Sequence, residues 1–191
     1  LEVTKDLQRY GAQGITIHPR PDQRHIRYED ALALPEVVQT EYNIEGNPIA
    51  KFTDLVLKIK PTQVTLVPDA EDAITSNAGW DTLKHKDFLK KSIKQFKEQG
   101  IRTSIFVDPK LEMIEGALET GTDRIELYTE AYAAGYETDR EQAIAPYVAA
   151  AEKAVALGIG INAGHDSSRA NLAYCAQNMP AALEVSIGHA V

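Results

Sequence analysis

The chain has 191 residues, 43% of them hydrophobic and 25% charged, the composition of an ordinary globular protein with length for one cored domain rather than two. A formal net charge of −8 argues against a general nucleic-acid or anionic-membrane surface, so local basic clusters stand out. The single cysteine, Cys175, excludes an internal disulfide framework and fits a reducing, cytoplasmic setting. No CxxC or Cys/His zinc spacing occurs, no apolar run has the length to cross a bilayer, and no signal-peptide pattern is visible. The chain begins at Leu1 rather than Met, so residues before it are expected.

In chain order, Thr4 to Ala12 reads as a short helix, with Thr4 as its N-cap and Gly11 near its end. Ile15-Thr16-Ile17 is an alternating run expected to form a strand over 14–18. It breaks at Pro19 and Pro21 and delivers His18, Arg20, Arg24 and His25 within a few residues, as a loop built to hold an anion beside an acid–base group would. A basic surface loop is the plain alternative. Tyr28 to Val38 has helical spacing, 40–46 reads as a strand ending at Glu45 and Gly46, and Pro48 to Ile59 as a helix with Pro48 in its first turn. QVTLVP (63–68) is a buried-strand run, followed by a long polar loop over 69–81 that marks function. A basic helix over Leu83–Gln99 closes at Gly100. After it come a strand (101–109), a helix (111–121), a strand (124–129) and a helix (Asp139–Leu157). A glycine-lined strand (158–165), a helix (167–178) with Asp166 or Ser167 as N-cap, and a last strand (182–189) complete the chain.

Strand–helix alternation means a parallel sheet covered by helices, either an open doubly wound sheet or a closed (β/α)8 TIM barrel. No GxGxxG follows a strand and no GxxxxGK[ST] appears, which disfavours the open nucleotide-binding sheets. Helix first and strand last is the pattern of a barrel without its first strand and last helix. A typical barrel needs about 250 residues. The expectation is therefore one (β/α)-barrel domain over 1–191, incomplete at both ends.

In such a barrel every strand C-terminus opens on one rim, where active sites sit. The strand ends carry His18, Glu45, Asp108, Glu126, Thr129, His165 and the Gly188-His189 pair. Any single histidine here has a bland reading as a satisfied structural residue. Three of the five on one rim with a carboxylate point to acid–base chemistry. Metal binding by the same groups is the rival, although no HxH or HExxH places two ligands together. No lysine ends a strand, so any imine would use the substrate's amine. Arg20, His25 and Thr75 are candidate phosphate contacts, and the amides around Gly188 and His189 a second set, which would suit two phosphorylated substrates.

ITIHPRPDQRHI, NIEG, LVPD…AITSNAGWD, INAGH and SIGHA, in this order and spacing, resemble the pyridoxine 5′-phosphate synthase family of vitamin B6 biosynthesis. The resemblance implies a (β/α)8 barrel assembling as a homo-octamer, without metal or organic cofactor. It implies condensation of 1-deoxy-D-xylulose 5-phosphate with 3-amino-2-oxopropyl phosphate, releasing inorganic phosphate and water. It makes His18 and Glu45 the acid–base pair, His165 the proton donor, Arg20, His25 and Thr75 the sugar-phosphate side, and Gly188 and His189 the amino-ketone phosphate side. Asp166 stands where some members have a glycine lending its amide to phosphate, and its carboxylate would repel phosphate unless it turns away to cap the helix. The family's first strand, with an Asn, an Asp-His pair and a following Arg, has no counterpart here. Two rival readings are a non-catalytic phosphometabolite-binding barrel and another phosphosugar lyase or isomerase.

Overall fold

The structure, a computed structural model, describes residues 1–69 and 78–188. Thr75 and His189, two of the candidate phosphate contacts, lie outside the described residues. The strands follow chain order in the sheet. Two compact units are distinguished, one of residues 1–77 and 92–104, the other of 78–91 and 105–191.

The first unit begins with helix α1 (Glu2–Arg9), which starts ahead of Thr4. Thr4 is buried within the helix rather than capping it. Strands β1 (Gly14–Ile17), β2 (Glu41–Gly46) and β3 (Gln63–Leu66) pair in parallel, Thr16 beside Asn43 and Glu45 beside Thr65. Helix α2 (Tyr28–Ala33) tightens into a 3₁₀ turn over Leu34–Glu36, where Pro35 cannot donate to the α-helical ladder. Helix α3 (Ala50–Ile59) begins two residues after Pro48, with Ile49 as N-cap, and ends on a left-handed Lys60 (φ 54°).

Period-two alternation sorts the side chains of these strands into two faces. Ile15, Ile17, Ile44, Val64 and Leu66 are buried on one face. Thr16, Asn43 and Thr65 share the other and form a polar ladder, Asn43 Nδ2 donating to Thr16 Oγ1 (3.4 Å) and Thr65 Oγ1 to Asn43 Oδ1 (3.1 Å). Burial on both faces is what parallel strands under helices require. At the opposite ends of the strands Arg102 donates from Nε to Gln63 (2.8 Å) and pairs with Glu41.

Two elements straddle the units: helix α4 (Lys86–Lys97), followed by a left-handed Gly100, and strand β4 (Arg102–Val107). The second unit carries helix α5 (Leu111–Thr120) and parallel strands β5 (Arg124–Tyr128), β6 (Gly160–Gly164) and β7 (Ala182–Ser186). Arg124, Asn162 and Glu184 tie these three strands together (3.1–3.3 Å), a second polar ladder on one face. Helix α6 spans Glu130–Ala156 and is two helices joined at Asp139, whose extended backbone (φ −155°, ψ 90°) starts the second of them. The Asp139 carboxylate accepts from the Gln142 amide (3.0 Å), so the helix start read at Asp139 is correct, while the helical stretch before it is additional.

Helix α7 (Leu172–Asn178) starts at Asn171, not at Asp166 or Ser167. The turn before it is held by side chains instead. Asn171 Oδ1 accepts from the Ser168 amide (2.8 Å), and the buried Tyr132 hydroxyl donates to the Asn171 carbonyl (2.7 Å). Tyr147 reaches the Tyr128 carbonyl in the same way (2.8 Å).

The Asn171 carbonyl also accepts from the Cys175 amide (3.1 Å), so Tyr132→Phe removes one of its two donors, and stability should fall by about 0.5–1.5 kcal/mol in a urea titration, with little change in its slope. Burial pushes the Cys175 thiol up to about 11. Only about one thiol in a thousand is then ionised at pH 8. Alkylation by iodoacetamide at pH 8 should accordingly be very slow in the native protein and become fast in denaturant.

Candidate active site

The polar face of β1–β3 continues past the strand ends and builds a pocket in the first unit. His18 follows Thr16 by two residues and Glu45 follows Asn43 by two, so both point to the side marked by the ladder. Asp69 follows Thr65 by four, past the Val67-Pro68 step that leaves β3. The result is an imidazole between two carboxylates. His18 Nδ1 stands 3.8 Å from Glu45 Oε2, and His18 Nε2 3.7 Å from Asp69 Oδ2. These separations are too long for direct hydrogen bonds and within ion-pair reach of a protonated ring.

Arg20 closes the group. Its guanidinium donates from Nη1 to Asp69 Oδ2 at 3.0 Å, with the two side chains 8% and 6% exposed. A charged pair so nearly buried holds only when its members satisfy each other. Asn47 Nδ2 donates to the Asp69 carbonyl (2.8 Å), which fixes the backbone that carries the carboxylate. His18, Arg20, Tyr28, Asn47, Phe52 and Asp69 line one open pocket. Gly46 is there because a Cβ would drive into the Phe52 ring that walls it. His25 is exposed in the following loop and does not line this pocket.

In the second unit His165 directly follows β6 in the left-handed region, φ 79°. A non-glycine residue there costs about 1–2 kcal/mol. The conformation is held on both sides, since the His165 amide donates to Ser186 (3.1 Å) and the Gly164 carbonyl accepts from the Thr129 hydroxyl (2.6 Å). The imidazole lies edge-on to Phe106 (4.8 Å between centroids) and Tyr128 (6.0 Å). Against Gly164, the residue before His165, Glu126 is fully buried, and a Cβ at Gly164 would collide with the Glu126 carboxylate, so the glycine makes room for that acid. Asp166 is exposed, and Gly188 is exposed just past β7. Asp166 makes no capping bond to α7, so helix capping does not occupy its carboxylate.

Of the residues named from the sequence, His18 and Arg20 line this pocket, and Glu45 stands against His18 without lining it; Asp69 is the partner that the residue pattern does not reveal. The local signal is a carboxylate directly after a strand-ending proline, which in sequence is indistinguishable from the start of a polar loop. Glu126 reads from the sequence only as a strand end, because nothing local reveals that it is buried. Among the described residues no group of three His, Cys, Asp or Glu side chains is arranged to hold a metal ion.

Solved structures with the same fold include a phosphoribosylanthranilate isomerase from Thermotoga maritima (TM-score 0.62, 16% identity, 97% of this chain and 80% of that one). A phosphoribosyl anthranilate isomerase from Thermococcus kodakaraensis is similarly close (TM-score 0.64, 14% identity, 97% and 83%). At such identities the likeness shows the fold alone, the (β/α)8-barrel class. Much nearer in sequence is the pyridoxine 5′-phosphate synthase of Flavobacterium johnsoniae, 65% identical over 191 residues that cover 100% of this chain and 81% of the relative. Those of Cytophaga hutchinsonii and Porphyromonas gingivalis are 59% and 56% identical, each match covering 100% of this chain and 80% of the relative. The match to the family described as pyridoxal phosphate biosynthesis protein PdxJ runs over residues 1–191, and the chain belongs to that family.

Proposed function

We propose that the protein is a pyridoxine 5′-phosphate synthase, condensing 1-deoxy-D-xylulose 5-phosphate with 3-amino-2-oxopropyl phosphate into pyridoxine 5′-phosphate, with release of inorganic phosphate and water. The observation that carries this reading is the pocket of the first unit: an imidazole flanked by two carboxylates, next to a buried guanidinium. Imine formation, enolisation, phosphate loss and ring closure each move protons, and an imidazole that can be charged or neutral near neutral pH serves successive steps in both directions. His18 takes and returns protons, and Glu45 steadies its charged form. Arg20 receives the sugar phosphate through charge-assisted hydrogen bonds, the task for which a guanidinium fork is suited.

His165 is the proton donor of this proposal, a role the strained and doubly tethered backbone at that position supports. His25 and Thr75 belong to the sugar-phosphate side, and Asp166, Gly188 and His189 to the amino-ketone phosphate side. No metal or organic cofactor enters the scheme. The enzyme works in the cytoplasm, which a single, buried, free cysteine suits. No helix among the described residues is long and apolar enough to cross a membrane. It assembles with itself, as a homo-octamer by the family resemblance. Val3, Leu7 and Tyr10 leave apolar surface exposed on and just after α1, which suits self-association.

The full-length protein should release inorganic phosphate only when both substrates are present. Release from either substrate alone would point to a lyase or isomerase, and no release with tight phosphate binding to a non-catalytic barrel. Glu45→Gln and His18→Asn should each lower kcat by about 10²-fold or more, with an unchanged melting curve. Near-wild-type turnover in either would remove the acid–base assignment. Arg20→Ala should raise KM for 1-deoxy-D-xylulose 5-phosphate by about tenfold or more, far beyond its effect on KM for the amino-ketone.

A further inference from the structure

Asp69 touches both functional groups of the pocket, and the proposed chemistry gives it no role. Its Oδ2 is 3.0 Å from Arg20 Nη1 and 3.7 Å from His18 Nε2, while Asn47 pins its carbonyl. It sits where the phosphate-binding guanidinium and the acid–base imidazole meet, and it carries the charge of the ligand that Arg20 is to bind. We propose that Asp69 is a positioning residue that acts as an internal counter-ion: it holds Arg20 in place until a substrate phosphate takes its position, and it keeps the Nε2 side of His18 oriented during turnover. This rests on the synthase reading for the identity of the substrates.

The chemistry follows from charge and geometry. A cation as nearly buried as Arg20 needs an anion beside it, and Asp69 supplies one. A phosphate arriving at the same guanidinium meets a negative carboxylate, so Asp69 weakens phosphate binding by repulsion and by competition for the donors of Arg20. The same carboxylate gives His18 a second acidic neighbour opposite Glu45, so a protonated ring has a negative charge within ion-pair reach of each nitrogen. Asp69 thus costs the site some affinity and gives it turnover. A residue with a merely structural role would move both in the unfavourable direction.

The test compares Asp69→Asn, Asp69→Glu and wild type as full-length proteins. Asn keeps an acceptor for Arg20 and loses the charge. Inorganic phosphate, titrated by calorimetry, should bind Asp69→Asn about threefold or more tightly, and kcat of the synthase reaction should fall by about tenfold or more. Asp69→Glu keeps the charge and should retain the wild-type phosphate Kd with much of kcat. Weaker phosphate binding in Asp69→Asn, an unchanged kcat, or equal losses in both variants would overturn the proposal. Should Asp69→Asn fail to fold, the wild-type protein still decides. The ¹⁵N resonances of the Arg20 guanidinium should shift on saturation with phosphate, and resonances that stay in place would refute the exchange. If wild type releases no phosphate from the two substrates, the synthase reading fails, while the phosphate Kd and the Arg20 signal still judge Asp69.

Discussion

The Arg20–Asp69 pair is the interaction on which the first unit's pocket depends. Both side chains are almost removed from solvent, and an ion so placed costs several kcal/mol unless an opposite charge stands against it. Once that pair is fixed, the rest of the group is constrained. Asn47 must hold the Asp69 backbone, His18 must lie between Asp69 and Glu45, and position 46 must lack a side chain so that Phe52 can wall the pocket. The charges are arranged as a compensated set, two acids against a guanidinium and an imidazole that can accept a proton.

The second unit solves a different problem. Its His165 is held by backbone geometry and ring packing, with a left-handed φ, an amide hydrogen bond to Ser186 and two aromatic neighbours. The buried Glu126 is accommodated by the missing Cβ of Gly164, one residue before the histidine. The Tyr132 hydroxyl anchors Asn171, the cap of the helix that follows, so the short turn after His165 is tied at both ends. Strain is tolerated there because the surroundings supply several independent restraints.

Much of the site was legible in the residues because strands alternate. Thr16 and His18, and Asn43 and Glu45, differ by two, so a reader who accepts two parallel strands can already place the imidazole and the carboxylate on one face. Helix ends were less legible. Thr4 looks like an N-cap yet lies inside α1, and Asp166 and Ser167 look like caps of a helix that starts only at Asn171. In each case a tertiary contact outweighed a weak local preference: Thr4 is buried, and a hydroxyl from α6 holds the Asn171 carbonyl.

The sequence by itself determined the alternation of strand and helix, the polar and apolar faces of β1–β3, and the motifs by which the chain joins its family. These follow from local periodicity and residue chemistry, which need no knowledge of distant neighbours. Only the tertiary structure decided that Asp69 partners Arg20 across 49 positions of chain, that Glu126 is buried where Gly164 makes room, and that His165 is left-handed. Burial and ion pairing depend on what the fold brings alongside a side chain, and no stretch of residues read alone carries that information.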